Sequence, residues 1–77
     1  VSHTPHELTE EFPDKLEKMQ TLKETDAHFR KLVEEYHDVN RKIHAAESNV
    51  TPMDQFAEEE MRKQRMHLKD EIARLLA

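Results

Sequence analysis

The sequence predicts an all-α protein: an antiparallel, coiled-coil-like helical hairpin preceded by a short N-terminal helical segment, with a second hairpin able to complete a four-helix bundle. Three observations carry this prediction. Phe29, Leu32, Tyr36, Val39, Ile43, Ala46 and Val50 recur at alternating spacings of three and four, the seam of a helix that needs a partner helix. Glycine is absent and only three prolines occur in 77 residues, so long stretches contain no helix breaker. Ser48, Asn49, Val50, Thr51 and Pro52 then form a link so short that the helices it joins must lie antiparallel.

Composition narrows the class. With 38% charged and 35% hydrophobic residues the chain could pass for disordered, but the regular apolar spacing makes helix the economical reading. Cysteine is absent, which excludes disulfides and thiolate zinc. No apolar run approaches twenty residues and no charged-then-apolar leader opens the chain, so the expectation is a soluble, cytoplasmic protein with no membrane span. A net charge of −5 gives no general drive toward nucleic acid or anionic lipid. Residues 1–77 fit one helical domain, small enough that its core is marginal and self-association would help it.

Thr4, Pro5 and Glu7 offer a helix start, with a hydroxyl to cap, proline in the first turn and a carboxylate three residues after the cap. Pro13 favours a second start, so residues 1–24 are expected to be a helical segment in which Asp14 to Lys23 turns Leu16, Met19 and Leu22 to one side. Thr25 and Asp26 cap the long helix, residues 26–47. Residues 48–51 turn, and Thr51 with Pro52 opens the last helix, residues 52–76. Met53, Phe56, Ala57, Met61, Leu68, Ile72 and Leu75 form its inward stripe, interrupted by Arg65.

Folding the chain about residue 50 sets Ile43 against Phe56 and Ala57, Val39 against Met61, Leu32 against Leu68, and Phe29 against Ile72. Tyr36 then falls opposite Gln64 and Arg65, where its hydroxyl can stay hydrated or bonded. The same register brings His28 near Asp70 and Glu71. Val33, Met66 and Leu76 lie off the main seam and are the apolar groups expected to serve a homodimer.

Glu11-Phe12-Pro13, Leu22-Lys23, Asp26-Ala27-His28-Phe29, Glu35-Tyr36-His37, Ile43-His44, Arg62-Lys63-Gln64-Arg65 and Leu68-Lys69-Asp70-Glu71-Ile72 run through most of the chain. In these motifs the sequence resembles the YdcH-like family of small bacterial proteins, a domain of unknown function built around a helical hairpin. Met66 replaces the leucine usual in similar sequences, a conservative change. The resemblance implies a bacterial cytosolic helical protein and implies no activity or cofactor.

No catalytic constellation or cofactor loop can be read, and no cofactor is expected. His37 and His44 are seven residues apart, about 10.5 Å along a helix, too far to chelate one ion. Asp70 and Glu71 point about 100 degrees apart and cannot act as a carboxylate pair. Arg62, Lys63, Arg65 and Lys69 make a basic patch on the last helix, which phosphate could use. Glu58 and Glu59 precede Arg62 and Lys63 by four residues, however, in the orientation that favours local ion pairs. The reading is therefore a non-enzymatic protein–protein interaction module acting through exposed hairpin faces. Arg62, Lys63, Arg65, Met66, Lys69 and Val33 are its candidate contact residues, and its protein partner is unidentified. The alternative, a nucleic-acid or ribonucleoprotein accessory using the basic patch, is disfavoured by the charge balance.

Overall fold

The computed structural model describes residues 5–48 and 53–77. Its elements are α1 (Leu8–Glu11), a 3₁₀ turn (Pro13–Lys15), α2 (Leu16–Thr25), α3 (Ala27–Glu47) and α4 (Gln55–Leu76), with no strand among the described residues. α3 and α4 pack together as the hairpin that the heptad spacing predicts, and α2 packs on another flank of α3. α3 is thus the central helix, covered from two directions.

Its sequence shows why. Phe29, Leu32, Tyr36, Val39, Ile43 and Ala46 are buried as expected, but so are Val33 and Asn40. Phe29, Val33, Tyr36 and Asn40, spaced four, three and four, form a second stripe beside the seam. That stripe receives the N-terminal segment: Leu8, Met19 and Val33 belong to one core cluster with the hairpin residues, and Phe12 and Leu22 pack against it. Val33 is therefore a core residue and not a spare contact group. Leu76 is likewise buried, leaving Met66, 55% exposed, as the one free apolar group of the three.

The helix ends differ from the expected ones where side chains find better partners. Asp26 alone caps α3, its carboxylate accepting from the His28 and Phe29 amides at 3.0 and 3.2 Å. The Thr25 hydroxyl instead donates to the Thr21 carbonyl, because Thr25 is the last residue of α2. α4 begins at Gln55, not Pro52, because the Asp54 carboxylate takes the Ala57 amide at 2.9 Å. Thr51 and Pro52, with Val50 of the seam, lie outside the described residues.

Helical phase decides the fate of Phe56. On a continuous helix, residues sixteen apart differ by about 160 degrees, so Phe56 and Ile72 cannot share a face. Ile72 is buried, and Phe56 is 72% exposed. Phe56 is thus removed from the seam, while Ala57 and Met61 are half-buried, Leu68 is buried and Leu75 packs against the core. Contacts between the long helices pair Asn40 with Arg65 and Glu47 with Arg62, displaced toward the C-terminus of α4 from a fold about residue 50. The later start of α4 accounts for the direction of the displacement, and the reach of the arginine side chains adds to it.

Helix α1 starts at Leu8, later than Pro5. The cause is tertiary: the Pro5 and His6 carbonyls, which a helix would use internally, accept from the Asn40 amide and the Tyr36 hydroxyl. His6 takes the left-handed conformation, φ 63, where the chain turns to make these contacts. Thr4 lies outside the described residues. The 3₁₀ turn at Pro13 postpones α2 to Leu16, which is 48% exposed, so only Met19 and Leu22 of the expected face turn inward.

Candidate functional site

The N-terminal segment is held by a polar network laid over the seam. Tyr36 donates to the His6 carbonyl at 2.6 Å, and the Asn40 amide donates to the Pro5 carbonyl at 2.9 Å. Arg65 of α4 donates to the Asn40 side-chain oxygen at 2.9 Å. This accounts for both the buried asparagine and the half-buried cation that breaks the α4 stripe: Arg65 supplies the donor that the Asn40 oxygen needs. His37 Nδ1 lies 3.1 Å from a Glu7 oxygen, and His6 Nδ1 lies 2.9 Å from a Glu11 oxygen. Lys69 lies 3.3 Å from the other Glu11 oxygen and stands over the Phe12 ring, 6.0 Å from its centroid. Glu11 thereby ties α1 to α4.

Electrostatics follow from these contacts. The Glu11 carboxyl is held below its ordinary value, first by the hydrogen bond with His6; partial burial opposes this and Lys69 reinforces it. Burial pushes the Tyr36 phenol up to about 12, with the negative charge of Glu11 adding to the effect and Arg65 opposing it.

Of the six candidate contact residues, the structure brings four together. Arg62, Arg65, Met66 and Lys69 line one shallow depression with His6, Glu11 and Tyr36. Lys63 lies on the opposite flank of α4, beside Glu60, Gln64 and His67, and Val33 is buried beneath the N-terminal segment. The cations are engaged within the chain. Arg62 reaches Glu47 at 2.9 Å and Glu58 at 3.8 Å, and Lys63 meets Glu60 at 3.6 Å in place of the expected Glu59.

His28 and Glu71 line one shallow depression with Arg74 and Leu75, as the hairpin register predicts, but no hydrogen bond or ion pair joins them. Among the described residues, no group of three or more His, Asp or Glu could hold a metal ion, and no helix is long and apolar enough to cross a membrane.

Sequence reasoning misses His6, Glu11 and Asn40 as members of this constellation. Asn40 was legible as the polar member of the Phe29, Val33, Tyr36 stripe. The other two depend on how residues 5–12 dock, which no local pattern encodes.

Neither a curated protein nor a solved structure matches the chain. Residues 29–76, the two long helices with their link, match the family described as "Protein of unknown function (DUF465)". The match covers more than half of the chain and coincides with the hairpin, so the chain belongs to that family.

Proposed function

We propose that this protein is a non-enzymatic interaction module that offers the outward half of α4 to a protein partner. The observation that carries this reading is a contrast on one helix. The four cations of the basic patch each have an acceptor within the chain, while Phe56 and Met66 are 72% and 55% exposed. A phosphate backbone would have to displace those acceptors, whereas an apolar partner surface would find two large side chains unoccupied. Large exposed apolar groups, rimmed by charge, are the usual anchors of protein contacts. The finer YdcH-like kinship, with a bacterial cytosolic setting, belongs to the same reading and rests on the motifs from Glu11-Phe12-Pro13 to the Lys69-Asp70-Glu71-Ile72 run.

The test is affinity capture from lysate with and without nuclease. Protein partners retained after nuclease treatment support the module. Loss of every partner on nuclease treatment would instead support the nucleic-acid alternative.

A further inference from the structure

We infer that the N-terminal unit, residues 5–25, is exchangeable between two copies of this chain, with Asp26 as the hinge. The partner is a second copy, whose α3 and α4 receive that unit in place of their own. This goes beyond the reading of the α4 surface and does not depend on it.

The hinge is one residue. α2 ends at Thr25 and α3 begins at Ala27, and Asp26 alone is extended, φ −126 and ψ 106. No glycine or proline stands between Leu16 and Glu47, so nothing covalent forbids a continuous helix of about 48 Å through this point. The flanking ladder is already helical: the Asp26 amide donates to the Leu22 carbonyl at 2.8 Å, and the Arg30 amide donates to the Asp26 carbonyl at 3.1 Å. The corner is instead specified by two side chains. The Asp26 carboxylate holds the His28 and Phe29 amides, and Arg30 Nη1 donates to the Lys23 carbonyl at 3.0 Å. Straightening exchanges these three bonds for three backbone bonds, from the Ala27, His28 and Phe29 amides to the Lys23, Glu24 and Thr25 carbonyls. In hydrogen bonds the conversion is even.

Packing is also preserved. α2 folds back on α3, so contacting residues lie at similar distances before and after the hinge. Met19 and Val33, which line one cleft, stand seven residues either side of Asp26. Two straightened helices crossing antiparallel about Asp26 present the same pairs to each other, each Met19 meeting the Val33 of the other copy. The arrangement is a closed two-fold exchange, and short hinges between packed elements favour it. Tyr36 and Asn40 then receive the His6 and Pro5 carbonyls of the second copy, and Lys69 its Glu11. Without an N-terminal unit from one copy or the other, the Tyr36 hydroxyl and the Asn40 amide lose the carbonyls they donate to.

The experiment compares the full-length parent with Asp26→Ala and Asp26→Gly. Both variants lack the capping carboxylate, but alanine favours a helical hinge and glycine opposes it. Light scattering after size exclusion, over a concentration series, is expected to give Asp26→Ala a dimer dissociation constant about twentyfold below that of Asp26→Gly, because the propensity difference acts at both hinges. In a dimer mixed from isotope-labelled and unlabelled chains, Met19 to Val33 methyl contacts are expected between copies. Equal dissociation constants for the two variants, or Met19 to Val33 contacts confined to one copy, overturn the proposal. If Asp26→Ala fails to fold, the parent at millimolar concentration decides by the same isotope measurement: contacts between copies support exchange, and contacts only within one copy refute it.

Discussion

Arg65 and Asn40 meet across the two long helices, the guanidinium donating to the asparagine oxygen at 2.9 Å and thereby aiming its amide at the Pro5 carbonyl. Asn40 is 1% exposed, so its side chain cannot turn to bulk water if Arg65 or the Pro5 carbonyl is lost. Asn40→Leu is expected to cost about 1 to 3 kcal/mol, the range for leaving buried polar groups without partners. Adding Arg65→Leu should recover part of that cost, since the double variant no longer leaves a half-buried guanidinium without its Asn40 acceptor. Urea melts of the two single variants and the double variant give the coupling directly, and additive losses would show that the pair is not coupled.

Tyr36 is the only tyrosine in a chain without tryptophan, so phenolate absorbance reports it alone. With the phenol raised from 10.0 to about 12, the folded state favours the neutral ring. The associated stability is fully present below the unfolded value and lost as pH rises from about 10 through about 12. The spectrophotometric midpoint should therefore lie well above that of the urea-unfolded chain, and coincident midpoints would contradict the burial described here.

Glu11 carries the opposite dependence. Its carboxyl is held below the ordinary value of 4.5, so its contribution is present above that value and disappears as pH falls through the lower folded one. His6→Ala removes the largest cause of the lowering and should move the Glu11 midpoint, followed by carbon-detected NMR, upward toward 4.5. An unchanged midpoint would mean that His6 is not its partner.

Leu32 and Leu68 are buried in the seam, and truncation of either to alanine is expected to cost about 2 to 5 kcal/mol, enough to unfold a small domain. Phe56→Ala should change stability by no more than about 0.5 kcal/mol, because that ring is exposed. Thermal melts distinguish this arrangement from one in which Phe56 faces Ile43, for which its loss would rank with the two leucines.

The legible and illegible parts divide by what determines them. The α3 seam and the α3–α4 pairing follow from periodicity over more than twenty residues, where one misplaced side chain cannot change the answer. Phe56 misleads because its apolar character and its nearness to Ala57 group it with the inward stripe, whereas sixteen residues set it about 160 degrees from Ile72. The start of α4 turned on Asp54 competing with Thr51 as cap, a choice between two good local signals. The site itself was half visible. Arg62, Arg65, Met66 and Lys69 were recognisable as one helix surface, but His6 and Glu11 join them only through a left-handed turn at His6 and two carbonyl contacts set by tertiary packing.

The outward half of α4 is the centre of the functional account, and paired substitutions test it most directly. Full-length parent, a Phe56→Ser, Met66→Ser double variant and a Lys63→Gln variant are compared in affinity capture from nuclease-treated lysate, with captured proteins quantified by mass spectrometry and folding checked by thermal melts. The account predicts that captured protein falls at least tenfold for the apolar double variant, stays within about twofold of the parent for Lys63→Gln, and that all three melt alike, since exposed positions contribute little to stability. Equal capture by the parent and the apolar double variant, both folded, would contradict it.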